Sequence, residues 1–198
     1  MRKGQATRER ITARAAELFN TRGYGSTVIA DVMAAVELEK GGIYRHFASK
    51  DDLALAAFDY GAGIVRQRVS VAVAGAAASS DQLLAVVEVF RSYSANPPLP
   101  GGCPILNTAV ESDDFHPRLR ERTQAVMVEL QTLLETIIRQ GIERGELRPA
   151  TDAARLATVI IATLEGAVMM SRLLDDPNPL HWAADHLHTH IHTQVKLN

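Results

Sequence analysis

Three observations predict an all-α fold of about nine helices. Strand signals are scarce: aromatic residues make up 5% of the chain, and β-branched alternation is nearly absent. Ala, Leu, Glu and Arg dominate, with apolar residues recurring at helical spacing over most of the length. Breaks rich in Gly, Pro and Ser cut the sequence into segments of helical length. At 198 residues, 46% apolar and 22% charged, the chain has the composition of a soluble globular protein.

The first helix is expected from about Thr7 to Thr21, with Ile11, Ala15, Leu18 and Phe19 on one stripe and Gly23 as its stop. Ser26 or Thr27 is placed to cap a second helix bearing Val28, Val32 and Met33. A break at residues 37–39 leads to a third, Lys40 to Phe47. Ser49 opens a fourth, running to about Ala74, with Asp51 and Asp52 in its first turn where they suit the helix dipole. GAAASS (75–80) reads as a connection, and a fifth helix follows from about Asp81 to Ser94. NPPLPGGCP (96–104) breaks it, and Pro104 suits the first turn of a sixth. The seventh spans about His116 to Arg144, with Leu119, Val126, Leu130, Leu133, Ile137 and Ile138 inward. Asp152 opens the eighth, to about Leu174. DPNP (176–179) separates it from a ninth, Leu180 to about Val195.

Charge is unevenly distributed. Residues 1–50 carry nine Lys/Arg against five Asp/Glu, and residues 51–198 carry twelve against eighteen. A basic head on an acidic body suits nucleic-acid binding by the head. Cys103 is the single cysteine, so no intrachain disulfide can form, and a reducing cytoplasm is the expected compartment. The basic start, MRKGQATRER, has no apolar core behind it, and no uncharged apolar run reaches the ~18 residues of a membrane span. Neither a secretory signal nor a membrane partner is expected.

Three short helices within 47 residues, the last two joined by a tight turn, form a helix-turn-helix pattern. Its distinctive stretch is LEKGGIYRHF, Leu38 to Phe47, which puts two glycines inside a short helix at a cost of about 1 kcal/mol each relative to alanine. Together, TRGY (21–24), STVIADV (26–32), KGGIYRHF (40–47) and SKDDL (49–53) resemble the N-terminal domain of the TetR family of bacterial transcriptional regulators, over about residues 7–58. GGCPILNTAVE and GELRPATDAARLA extend the resemblance more loosely. It implies a helix-turn-helix domain over 1–48 and an effector-binding and dimerisation domain over 49–198.

By resemblance, Lys40, Gly41, Gly42, Tyr44, Arg45, His46 and Lys50 match DNA-contacting positions. Physically, Gly41 and Gly42 would thin the leading edge of the recognition helix so that its backbone approaches the groove. Lys40 and Lys50 would neutralise phosphates, Tyr44 and His46 would donate to phosphate oxygens, and Arg45 would read guanine. Thr27 would offer its hydroxyl and the nearby helix amides to a phosphate. Ile43 and Phe47 fall inward. Glu37 and Glu39 depart from the family pattern of glycine in the turn and serine or threonine at the cap; Glu39 is expected to cap the third helix.

The eighth helix is apolar almost all round, which calls for burial on more than one side. A partner subunit is expected to supply the second side, giving a homodimer that reads a palindrome with two recognition helices. The interface is expected at Leu156, Ile160, Leu164 and Val168, with Leu180, Ala184, Leu187, Ile191 and Val195 of the last helix. Five histidines lie in that helix, but the pairs 186/190 and 188/192 fall on opposite flanks of its apolar stripe. Interface-edge histidines are the reading there, with no metal site and no cofactor. A small-molecule pocket is expected among Phe90, Tyr93, Cys103, Asn107, Glu111, Phe115, His116, Met127, Met169 and Met170.

The function expected is a cytoplasmic, homodimeric, ligand-responsive repressor whose partners are an operator duplex and a small effector. The alternatives are a helical carrier protein without specific DNA binding and a regulator sensing oxidants or electrophiles through Cys103, whose thiolate a helix N-terminus would favour. An enzyme is not expected: no nucleophile, base and oxyanion set, phosphate loop or metal signature is legible. The operator and the effector are not written in the sequence.

Overall fold

The structure, a computed structural model, describes residues 3–112 and 116–197. Among them are nine α-helices and no strand: α1 (Lys3–Arg22), α2 (Ile29–Val36), α3 (Lys40–Tyr44), α4 (Lys50–Ala74), α5 (Ser79–Arg91), α6 (Pro104–Ser112), α7 (Pro117–Glu143), α8 (Ala153–Leu174) and α9 (Asn178–His190). A 3-10 turn, Ser92–Ser94, extends α5, and a π-helical turn, Ile191–Val195, extends α9.

The chain forms two compact units. One comprises residues up to Ile64 with Pro98–Val126, and the other comprises Val65–Pro97 with the chain from Met127 onward.

In the first unit, Ile11 and Ala15 of α1, Val32 and Val36 of α2, Ile43 of α3, and Leu53 and Ala57 of α4 make one apolar core with Phe47. Each large side chain buried there contributes about 1.5–3 kcal/mol of transfer free energy. Gly23 ends α1 in the left-handed region at φ 84°, and its amide returns to Phe19 O at 2.9 Å; glycine adopts that conformation without a Cβ penalty. Ser49 caps α4 by accepting from the Asp52 amide at 3.0 Å. The Pro98–Gly102 segment lies hard against the end of α1: a Cβ on Gly101 would fall 2.3 Å from Asn20 O. Asn20 and Asn107 lock this contact, with Asn107 Nδ2 donating to Asn20 Oδ1 at 2.9 Å and to Gly101 O at 2.9 Å.

In the second unit, α9 packs on α8 and α5. Asp152 caps α8 by accepting from the Arg155 amide at 3.0 Å. Glu146 reaches the start of α5, where its carboxylate accepts from the Ser79 amide at 2.6 Å; that bond holds its pKa below the usual range. On α7, Leu134 is fully buried where the periodicity had favoured Leu133, which is half-buried. By length and composition α8 could cross a membrane, yet half of its apolar window is buried inside the chain.

Burial within the chain bears on the residues expected at the interface. Leu156, Ile160, Leu164, Val168, Leu180, Ala184, Leu187, Ile191 and Val195 are all buried by their own chain. Each keeps 6% or less of its surface exposed. The same helices carry apolar side chains on another face: Val159, Met169 and Leu173 of α8 are exposed, the last at 79%, and Trp182 of α9 is 66% exposed. The chain buries one side of α8 by itself, and the leftover apolar stripe lies elsewhere.

Candidate nucleic-acid interface

The turn between α2 and α3 is built from the two acids that depart from the family pattern. Glu37 sits in the left-handed region at φ 53°, which costs a non-glycine residue about 1–2 kcal/mol. Its backbone ends α2, and the next amide, of Leu38, returns to Met33 O at 3.1 Å. Glu39 occupies the N-cap position of α3 in an extended conformation, but its side chain makes no capping bond. The expected carboxylate cap is absent; the Glu39 carbonyl instead accepts from the Gly42 amide at 2.7 Å.

α3 is shorter than the Lys40–Phe47 helix expected, because the chain turns after Tyr44. The His46 and Phe47 amides both close on Ile43 O. Arg8 of α1 donates to the His46 carbonyl and lies 4.2 Å over the Phe47 ring, fastening the end of this segment to α1. Ile43 and Phe47 are buried, while Lys40, Gly41, Tyr44 and Arg45 are exposed. One face of α3 therefore belongs to the core, and the other presents two cations and a phenol. Lys40 Nζ stands 5.9 Å from the Tyr44 ring centre. An open groove beside this face is lined by Gly4 and Thr7 of α1 with Leu38, Gly42, Arg45 and His46.

The two glycines have different reasons. A Cβ on Gly41 would meet nothing within 4 Å, whereas one on Gly42 would lie 3.3 Å from Leu38 Cβ. Gly42 answers to internal packing. Among the described residues, nothing close to that position requires Gly41 to be small.

Two expected contacts are engaged elsewhere. Thr27 is fully buried, and its hydroxyl donates to Gly23 O at 2.7 Å; neither Thr27 nor Ser26 caps α2. That cap position is Val28, whose amide donates to Asp31 Oδ2 at 2.8 Å. Lys50 Nζ donates to Tyr24 O at 2.6 Å and lies 4.0 Å over the Tyr24 ring. Burial pulls its pKa below the usual ammonium range.

Tyr24 is the hub of a network the sequence did not announce. Its hydroxyl donates to the Asp51 carboxylate, which holds the carboxyl below its usual range. Burial, then Asp51 itself, pushes the phenol up to about 12. Glu111 of α6 accepts from the Tyr24 and Gly25 amides at 2.7 and 2.8 Å. The TRGY motif was the only signal that this turn mattered, and the acids that hold it lie 27 and 87 residues further on.

The residues expected to line an effector pocket divide between the two units. Cys103, Asn107, Glu111 and His116 belong to the first, and Phe90, Tyr93, Met127, Met169 and Met170 to the second; Phe115 lies outside the described residues. Cys103 is fully buried, and Met169 and Met170 are exposed on α8. Phe90 and Tyr93 are buried with ring centres 5.0 Å apart. On α9 and the π-helical turn after it, the rings of the 186/190 and 188/192 histidine pairs stand 6.4 and 6.3 Å apart, and His188 Nε2 lies 2.7 Å from Glu88 Oε1. No cluster of three or more metal-ligating residues occurs among the described residues.

A tight turn between two short helices, a buried face on the second and a cationic face opposite it define a helix-turn-helix DNA-binding protein with a helical body. Comparison with known proteins agrees. Residues 11–57 match the family model for bacterial regulatory proteins of the tetR family, and residues 79–187 match the tetracyclin repressor-like C-terminal domain. A TetR transcriptional regulator from Chloroflexus aurantiacus is similar over 100% of both chains, at 58% identity and a TM-score of 0.97. A TetR-family regulator from Cytophaga hutchinsonii covers 100% of this chain and 98% of its own, at 32% identity and a TM-score of 0.91. An uncharacterized HTH-type transcriptional regulator of Mycobacterium tuberculosis is 30% identical over 89% of each chain. The chain belongs to the TetR family of bacterial transcriptional regulators.

Proposed function

We propose that this protein is a cytoplasmic repressor that binds a palindromic operator as a homodimer and is released by a small-molecule effector. Residues 1–48 read DNA in this account, and residues 49–198 dimerise and sense. The observation that carries the reading is the outward face of α3. Lys40 and Arg45 supply charge, Tyr44 supplies a phenol donor, and Gly41 leaves open space where any other residue would place a side chain. Arg45 is assigned to guanine, where a bidentate contact is worth about 1–3 kcal/mol. Lys40, Tyr44 and His46 are assigned to phosphates, which position the helix without reading sequence.

The exposed apolar stripe of α8 and α9 supports dimerisation. Val159, Met169, Leu173 and Trp182 would carry it, in place of the buried residues expected from the sequence. The thiol-sensor alternative loses ground because Cys103 is fully buried, and a sensing thiolate must be reachable.

The test is selection of duplexes from a random library by the full chain, followed by binding of the winner at moderate salt. A palindromic consensus, bound at a stoichiometry of two chains per site, is the expected result. A protein that enriches no sequence is not an operator-binding repressor.

A further inference from the structure

Up to Ile64, every acidic side chain but two is engaged. Glu9 accepts from Gln5 Nε2 at 3.1 Å, Glu17 pairs with Arg14, and Asp59 pairs with Arg122. Asp31 accepts from the Val28 amide, Asp51 from the Tyr24 hydroxyl and Asp52 from the Ser49 hydroxyl. The exceptions are Glu37 and Glu39, which are exposed and have no side-chain partner among the described residues. Glu37 has a backbone task, closing α2 in the left-handed region. Glu39 stands at the N-cap position of α3 and leaves the cap unmade. A shorter serine, threonine, aspartate or asparagine would make it, so glutamate forgoes a local stabilisation there. Two residues on, a Cβ at Gly41 would meet nothing within 4 Å, so this end of the helix is open to close approach.

The first residues of a recognition helix are the ones that meet base edges. A carboxylate at that place is repelled by phosphates and can only accept hydrogen bonds. The major groove offers it two donors, the N4 amine of cytosine and the N6 amine of adenine. Adenine's amine lies between two further acceptors, its own N7 and the O4 of the paired thymine. The cytosine amine has guanine O6 on one side and the C5–H edge on the other, so a carboxylate can approach it from the side free of acceptors. Cytosine is the base that suits an anion.

We propose that Glu39 is a specificity-determining residue, accepting a hydrogen bond from the N4 amine of one cytosine in each operator half-site. The assignment rests on the operator-reading role of α3 proposed above. Glu39 works mainly by exclusion: opposite guanine or thymine its charge faces an acceptor, and binding to those sequences is weakened. The cytosine is a different base from the guanine assigned to Arg45. Each half-site therefore carries two determinants, one read by an anion and one by a cation.

The test is selection of duplexes from a random library by the full-length wild type, Glu39→Ala and Glu39→Gln. Affinities are then measured for all four base pairs at the position whose preference changes. Both variants should keep the wild-type thermal midpoint, since an exposed side chain without a partner leaves no contact to lose. The wild type should favour cytosine there by about fivefold or more over each other base. Glu39→Ala should flatten that preference to within about twofold and bind non-cognate DNA more tightly, because a negative charge has left the interface. Glutamine carries the donor and acceptor that match adenine N6 and N7, so Glu39→Gln should move the preference from cytosine to adenine. A purely structural role would weaken all sequences alike and leave the base preference in place. That result, or a wild-type preference for adenine at this pair, overturns the assignment while operator reading stands. A wild type that enriches no sequence overturns operator reading itself, and the assignment with it.

Discussion

α3 and α8 depart from ordinary helices in opposite directions. α3 has five residues, two of them glycine, and could not persist alone. α8 has 22 residues and is apolar on two faces. Around α3 the exposed face, proposed to meet DNA, differs chemically from the buried face: Lys40, Gly41, Tyr44 and Arg45 against Ile43. In α8 the two faces are made of the same residue types, so Leu164 in the core and Leu173 on the surface look alike in sequence. An exposed face is easy to tell from a buried one where it sacrifices local stability or carries charge. It is hidden where it copies the chemistry of the core.

The largest expected effect separates the two faces of α8. Leu164→Ala removes a fully buried side chain and should cost about 2–5 kcal/mol, read as a lowered midpoint in urea. Leu173→Ala, at an exposed position, should leave unfolding of the dissociated chain within about 0.5 kcal/mol of wild type while weakening self-association in sedimentation equilibrium. If Leu173→Ala leaves association unchanged, the exposed stripe is not the dimer face.

The next effect tests the division of labour on α3. Arg45→Ala should cost about 1–3 kcal/mol on the preferred operator and relax specificity at one base pair. Lys40→Ala should weaken all sequences alike and lower the salt slope by about one. Equal loss on all sequences for both variants would remove Arg45 from base reading.

Smaller still is the turn. Glu37→Gly relieves a left-handed residue at the end of α2 and should stabilise the protein by about 1 kcal/mol, visible as a higher thermal midpoint.

The Tyr24–Asp51 bond sets the last effect. Asp51 has a depressed pKa in the folded chain, so its contribution is present above its unfolded pKa and fades as pH falls through the folded one. The Tyr24 phenol has a raised pKa, so its contribution is whole below its unfolded pKa of ~10 and is lost as pH climbs towards about 12. Tyr24→Phe should move the Asp51 titration upward by NMR and flatten both pH limbs. An unmoved Asp51 would show that another group controls it.

Much of the helix order was legible because periodicity and breakers act locally: Ser49, Pro104 and Asp152 mark helix starts by their own chemistry. The caps of α2 and α3 were not. Thr27 has the right side chain for a cap, yet Gly23 O takes its hydroxyl, and Asp31 serves the Val28 amide from within the helix. Asn107 and Glu111 were legible as polar residues in an apolar stretch, but their partners, Asn20 and the Tyr24–Gly25 amides, lie more than 80 residues away. No local pattern encodes such a pairing. On α8 the two apolar faces were not separable for a different reason: a stripe read from sequence shows which residues are apolar, not which of two apolar faces the chain keeps for itself.

The central claim is that Gly41 is small for the sake of an external partner. Gly41→Leu should therefore leave the urea midpoint within about 1 kcal/mol of wild type, since helix propensity favours leucine and no neighbour lies within 4 Å of the new Cβ. The decisive measurement is operator affinity of this variant by fluorescence anisotropy at moderate salt. A loss of at least about a hundredfold, roughly 2.7 kcal/mol, with the dimer intact is the predicted result. Wild-type affinity would contradict the account and place the DNA-reading surface elsewhere on the molecule.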